Sequence, residues 1–225
     1  MNRILLLVLA LFFVACTQKP AQSIPETDQV DQYAFANLPA LKPGEAVASF
    51  GGGCFWAMEE VFEEIKGVRA AISGYAGGTL PNPTYEQVST DETGHAEAVQ
   101  VYYDPKVITY DQLLDVFFAG HDGTQLNRQG PDVGRHYRSV AFYRTPAEKV
   151  GIEAAIRREV ASGHHADPIV TTVEPIPAFY PAENYHQEYC KIHPDELYIR
   201  SVSLPKVEKM RKAMAGKLKT DVMAI

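Results

Sequence analysis

Hydrophobic and polar positions change their period several times along the chain, and each change predicts an element. Residues 46–50 are a short apolar run entering three glycines, the pattern of a strand that ends in a turn. Beyond them Cys54, Met58, Val61, Phe62 and Ile65 recur on one helical face, while Glu59, Glu60, Glu63 and Glu64 lie mostly off it and Gly67 ends the segment. Residues 68–75 read as a strand, 84–88 as a short helical turn and 95–103 as a further strand. Thr109 with Gln112 forms a capping box that opens a helix through Leu113, Leu114, Phe117 and Phe118 to Gly120. Residues 121–138 are glycine-rich and polar, hence loop, and 139–143 are a strand. Thr145, Pro146 and Glu148 carry a cap, a first-position proline and a capping glutamate, opening a helix that runs to about Ser162. A strand at 169–174, a short helix at 183–190 and a basic helix at 205–215 complete the pattern. Strands alternating with helices, several in hairpin-compatible order, predict an α/β (α+β) domain with one sheet carrying helices. The segments around 74–94 and 120–138 are long for connections in a compact domain, and long ordered loops usually carry function.

The N-terminus follows different rules. Arg3 precedes an unbroken apolar run, residues 4–14, that falls short of the ~20 residues of a spanning helix and suits a signal-peptide core. Ala15-Cys16 directly after it resembles a bacterial lipoprotein cleavage box, which implies removal of residues 1–15 and lipidation of Cys16. Several acyl chains on one residue anchor stably. Residues 16–44, with scattered prolines and no sustained periodicity, are then a lipid-anchored linker, and 45–225 the folded domain. The expected location is the cell envelope, exported and facing the periplasm. A formal charge of −7 argues against nucleic acid as a partner.

With Cys16 assigned, two cysteines remain, Cys54 and Cys190, with neither a C-x-x-C nor zinc-ligand spacing. In an exported protein such a pair is conventionally a structural disulfide. The setting of Cys54 offers another role. A helix opening on it presents unpaired N–H groups and the positive end of the macrodipole, worth ~0.3–1 kcal/mol and up to ~2 when partly buried. That moves a thiol starting near ~8.5 towards neutrality. The preceding glycines leave room for a substrate to approach the sulfur. A phosphate loop is disfavoured because the G-K-[ST] ending is missing. Phe55 and Trp56, about 100° apart on a helix, suit either the core or the walls of an apolar cup. In the strand at 95–103, Glu97 shares its parity with Val99, Val101 and Tyr103, so a core-facing Val99 places the carboxyl at the end of an apolar row. Burial there favours the protonated acid, which can donate a proton and does not repel a thiolate.

Five stretches, GGGCFWAMEEVF, GYAGGTLPNPTYEQV, GHAEAV, NRQGPDVGRHYRS and AENYHQEY, occur in the order that resembles the A-type peptide methionine sulfoxide reductases. The resemblance spans about residues 46–190. It implies a two-layer sandwich with a ferredoxin-like core, mixed sheet and extensive coil. It implies reduction of methionine S-sulfoxide in oxidised proteins or peptides, with no metal or organic cofactor and a thioredoxin-like dithiol as reductant. It assigns the nucleophile to Cys54, the proton donor to Glu97, and the apolar pocket to Phe55 and Trp56. Tyr85 and Tyr137 become hydroxyl partners of the sulfoxide oxygen, and Asp132 positions the substrate. Many family members carry a resolving cysteine in a glycine-rich tail; this tail has none, so Cys190 is the internal candidate and an external thiol the alternative. A permanent bridge between Cys54 and Cys190 would occupy the nucleophile. The rival readings are a cysteine hydrolase or acyltransferase using His95 or His186 as base, and a binding module without catalysis.

Overall fold

The computed structural model describes residues 31–220 and 222; the apolar leader, Cys16 and the first part of the expected linker lie outside the described residues. The domain begins with β1 (Ala46–Gly52), α1 (Phe55–Glu63) and β2 (Val68–Ala76), and passes α2 (Tyr85–Val88) into β3 (Ala96–Tyr103) and α3 (Tyr110–Gly120). A hairpin of β4 (Arg128–Gln129) and β5 (Asp132–Val133) leads to β6 (Ser139–Tyr143), α4 (Pro146–Ser162), β7 (Thr172–Pro175) and β8 (Phe179–Pro181). The short α5 (Tyr189–Ile192) and α6 (Leu204–Ala213) follow. The main sheet has the order β7-β6-β1-β3-β2-β8, antiparallel throughout except between β6 and β7. Within it, β1-α1-β2-β3-α3-β6 with strand order β6-β1-β3-β2 is the ferredoxin-like arrangement. The chain thus forms the expected α/β sandwich with a mixed sheet.

Period-2 alternation decides which side chains meet the helices. On β3, Val99, Val101 and Tyr103 join the main core with Met58, Phe62, Leu113 and Phe117, whereas Ala96 and Ala98 pack on the opposite face with Val140 and Phe142. Phe50 stacks between Phe62 (centroids 5.1 Å apart) and Phe117 (5.2 Å). Fully burying each such side chain is worth about 1.5–3 kcal/mol, and that contribution seats α1 and α3 on the sheet. The expected caps are in place. Thr109 forms a reciprocal capping box with Gln112 and Thr145 accepts the Glu148 N–H ahead of Pro146, while Thr84 and Gln87 add a capping box at the turn expected over 84–88.

The structure departs from the sequence pattern where distant chain segments intervene. Glu59, Glu60 and Glu64, expected mostly off the buried face of α1, are all buried. Ser73 on β2 donates to Glu59 Oε2 at 2.8 Å, and Arg211 of α6 grips Glu64 with two nitrogens. The expected helix at 183–190 is interrupted: a 3₁₀ turn, Asn184–His186, is separated from α5 by Glu188, whose φ of +53° breaks helical continuity. The strand expected at 169–174 begins only at Thr172, and β8 lay hidden among prolines. Residues 31–36, read as free linker, lie along the domain. Ala36 N–H donates to Ala182 O at 2.9 Å, Asn184 N–H donates to Ala34 O at 2.8 Å, and the rings of Tyr33 and Tyr185 meet at 5.8 Å.

Candidate active site

The glycines before α1 prove to serve close packing. A Cβ on Gly51 would sit 2.8 Å from both Glu97 O and Val140 Cγ1, and one on Gly53, at φ +87°, would meet Gln129 Cβ at 2.5 Å. The turn therefore presses the head of α1 against β3 and the β4–β5 hairpin, and it is this approach, more than room for substrate, that needs glycine. Cys54 is the cap residue of α1. The first free amide of the helix, Phe55 N–H, donates to Glu97 Oε2 at 3.0 Å. The helix terminus thereby holds the carboxyl group beside the cysteine.

A cavity of about 300 Å³ opens at this point, lined by Cys54, Phe55, Trp56, Tyr85, Glu97, Asp132, Tyr137, Glu196 and Tyr198. It gathers seven of the residues singled out in the sequence, from α1, α2, β3, β5 and the 3₁₀ turn Arg135–Tyr137. Larger clefts lie elsewhere, but neither Cys54 nor Cys190 lines them. Phe55 is buried; Trp56 stacks on Tyr189 at 3.9 Å and donates its Nε1–H to His186 Nδ1 at 3.1 Å. Glu183 accepts the Tyr75 hydroxyl and the Tyr85 N–H, each at 2.9 Å, which fixes the start of α2 at the cavity wall.

Burial pushes the Glu97 carboxyl up to about 8, against the lowering effect of the Phe55 amide, so it is protonated at neutral pH. Burial likewise raises Tyr85 and Tyr137, and with the negative charges nearby keeps both phenols as donors. The sequence-based expectation for Cys54 needs correction. Its thiol is held well above the ordinary value, first by burial and then by the charge Glu97 carries when ionised, although the Tyr198 hydroxyl and Trp56 N–H favour the anion. A helix terminus supplies at most ~2 kcal/mol, whereas full burial shifts a group by up to about 3–5 pKa units. Desolvation wins, and Cys54 is a neutral thiol at pH 7.

Cys190 is not among the cavity-lining residues. Its sulfur donates to Trp56 O at 3.4 Å, and burial pushes the thiol up to about 12. Both cysteines are free. Neither histidine proposed as a hydrolase base reaches the cavity: His95 is held between Gly78 N–H and Leu80 O, and His186 accepts from Trp56. Sequence reasoning missed Tyr198, whose hydroxyl donates to Asp132 Oδ2 at 2.7 Å, and Lys206, whose ammonium lies 3.7 Å from the same oxygen. Both come from the C-terminal segment, where the pattern shows only a basic helix.

The family model for peptide methionine sulfoxide reductase matches residues 46–218. The chain belongs to this family. It is 50% identical over 171 residues to the peptide methionine sulfoxide reductase MsrA of Haloquadratum walsbyi, a match covering 76% of this chain and 97% of that protein. The MsrA of Natronomonas pharaonis is 49% identical over 173 residues, covering 77% and 97%. Among solved structures, methionine sulfoxide reductase A of Corynebacterium diphtheriae superimposes with a TM-score of 0.61 at 35% identity, covering 68% of this chain and 77% of that one. Mxr1 of Saccharomyces cerevisiae in reduced form gives 0.64 at 34% identity, covering 70% and 91%. The chain is accordingly an enzyme that reduces methionine sulfoxide, and the cavity at the head of α1 is where its residues suit that reaction.

Proposed function

We propose that Cys54 reduces the S epimer of methionine sulfoxide in oxidised proteins and peptides, with Glu97 as the acid. The observation that carries this reading is the Phe55 N–H to Glu97 Oε2 bond, which sets a protonated carboxyl beside the one sulfur that lines this cavity among the described residues. Sulfoxide sulfur is a poor electrophile because its oxygen leaves badly. A proton from Glu97, shared with donors Tyr85 and Tyr137, neutralises the charge that gathers on that oxygen as the Cys54 sulfur attacks. Phe55 and Trp56 supply apolar walls for the methyl group. The oxygen then passes to the Cys54 sulfur as its bond to the methionine sulfur and the new S–S bond break, so that methionine leaves with its electron pair and Cys54 is left as a sulfenic acid.

A dithiol restores the enzyme: one thiolate displaces the oxygen as water, giving a mixed disulfide, and the second thiol releases Cys54. A thioredoxin-like protein suits this role. The placement of Cys190 behind Trp56 O supports direct attack of the external thiol on Cys54. The run of apolar residues before Ala15-Cys16 supports export, lipidation of Cys16 and a membrane-anchored site of action in the cell envelope. Mass spectrometry of the mature N-terminus tests the anchor. Turnover of a methyl sulfoxide peptide with and without dithiothreitol tests the chemistry: wild type turns over only with reductant, and retained activity in Cys54→Ser would sink it.

A further inference from the structure

Attack by a neutral thiol releases a proton, and the reading above, on which this inference rests, leaves that proton without a destination. Every titratable or charged group facing Cys54 can be named. Glu97 on β3 already serves as the acid. Tyr85 on α2 and Tyr137 on the 3₁₀ turn remain protonated donors. Glu196 accepts the Tyr189 hydroxyl at 3.1 Å from both carboxylate oxygens. His121, behind the glycine turn, is closed off by Phe117 O and Ser139 Oγ, each at 2.7 Å. Asp132 on β5, Lys206 on α6 and Tyr198 remain.

These three form a line. Tyr198 precedes the π-helical turn Ile199–Ser203 that leads into α6, and its ring stands edge-on to Trp56 at 5.8 Å. Its side chain lines the same cavity as Cys54, and its hydroxyl donates to Asp132 Oδ2 at 2.7 Å. Because that O–H is committed to Asp132, the oxygen lone pairs are free to accept S–H. Lys206 Nζ, buried and with no hydrogen-bond partner among the described residues, lies 3.7 Å from Asp132 Oδ2. We infer that Tyr198 is a catalytic proton relay: it takes the Cys54 thiol proton as the sulfur attacks and passes its own to Asp132, beside the Lys206 charge.

The step balances. The new S–S bond forms from a sulfur lone pair, which makes the attached S–H strongly acidic and lets a carboxylate accept through the phenol. Glu97 meanwhile gives its proton to the sulfoxide oxygen. The oxygen then passes to the Cys54 sulfur as the S–S bond and the substrate S–O bond break, methionine leaves with its electron pair, Asp132 loses its proton to water and Glu97 regains one, so no net charge or electron is created.

Single-turnover oxidation of Cys54 by a methyl sulfoxide peptide between pH 6 and 8 tests this, with folding checked by thermal melts. Tyr198→Phe keeps the ring on Trp56 and removes only the hydroxyl. The expected deficit at pH 6 is about 100-fold, the lower end of what a positioned proton acceptor supplies. The rate then rises roughly tenfold per pH unit, because hydroxide replaces the lost acceptor, and approaches wild type at pH 8, while the substrate concentration for half-saturation stays unchanged. Asp132→Asn should show the same rise. A Tyr198→Phe variant as fast as wild type, or slower by the same factor at every pH, overturns the relay. Cys54→Ser and Glu97→Gln run beside it: if both are inert while Tyr198→Phe is unaffected, only the relay falls, and if Cys54→Ser still reduces the peptide, the nucleophile assignment falls with it.

Discussion

Two thiol–carboxylic acid neighbourhoods flank the same helix, and only one faces a cavity lined by hydroxyl groups. At the head of α1, Cys54 sits with Glu97, whose acidity burial weakens to about 8. Behind Trp56 O, Cys190 feels the charge of Glu60 and, less, of Glu59, the latter weakened by burial to about 8 as well. By acidity and exposure the two acids are alike. Their surroundings differ. Glu97 borders a space of about 300 Å³ with three phenols in its walls, whereas Glu59 accepts from Ser73 and Cys190 donates to a backbone carbonyl. A perturbed carboxyl thus marks burial; what distinguishes a reactive site is room for a substrate and donors already aimed at it.

The largest expected effects test that distinction directly. Cys54→Ser should lower turnover of a methyl sulfoxide peptide to background, and Glu97→Gln should lower it by about 10²–10⁴-fold, the range a positioned proton donor supplies. At the second neighbourhood, Glu59→Gln should change turnover by less than about twofold. Comparable losses at the two glutamates would erase the contrast.

The pH dependence separates the neighbourhoods next. Turnover needs Glu97 in its protonated form, so with saturating substrate and reductant the rate should hold below about pH 8 and decline above it. A limb that persists in Glu97→Gln belongs to another group. For stability the sign runs the same way for both acids. The native state holds Glu59 and Glu97 protonated up to about 8, while the unfolded chain loses those protons near ~4.3. The native state therefore binds more protons across that window, and the stabilisation present below it is lost as pH rises to about 8. Removing the charge should reverse this. Glu59→Gln should melt at least ~2–4 °C higher than wild type at pH 9, the shift that about 1 kcal/mol makes in a domain of this size, and gain less at pH 5. Equal gains at both pH values would refute the assignment.

The comparison also shows what sequence order can carry. The ferredoxin-like core was legible because its signals are local: caps at Thr109 and Thr145, and parity along β3 that put Glu97 on the face of Val99. The head of the site was legible for the same reason, since Cys54, Phe55 and Trp56 are consecutive. The C-terminal contribution was not. Tyr198 and Lys206 reach Asp132 across more than 60 residues, and a basic helical pattern looks identical whether its lysines meet water or a buried carboxylate. Burial of Glu59 and Glu64 was invisible for a related reason: charged positions on α1 read as a solvent face until β2 and Arg211 supply their partners. The expected gain in acidity at Cys54 failed on magnitude, because the helix terminus was weighed without the larger cost of burying the sulfur.

The smallest effect is expected at Cys190, and it is the sharpest test of the contrast. If the cavity alone is reactive, Cys190→Ala should leave turnover with excess dithiothreitol within about twofold of wild type and cost about 1 kcal/mol of stability, a typical price for a single substitution. Without reductant, wild type and variant should each release one methionine per chain and stop, with a sulfenic acid trapped at Cys54 by a dimedone-type probe. A resolving Cys190 predicts otherwise: wild type would form an internal 54–190 disulfide and resist the probe, and only the variant would label. That result would require the 183–192 segment to swing its sulfur from behind Trp56 into the cavity, breaking the bond to Trp56 O and the Trp56–Tyr189 stack. The contact that holds Cys190 in place is the same one that braces a cavity wall, so its release would loosen the pocket in the very step that follows product departure.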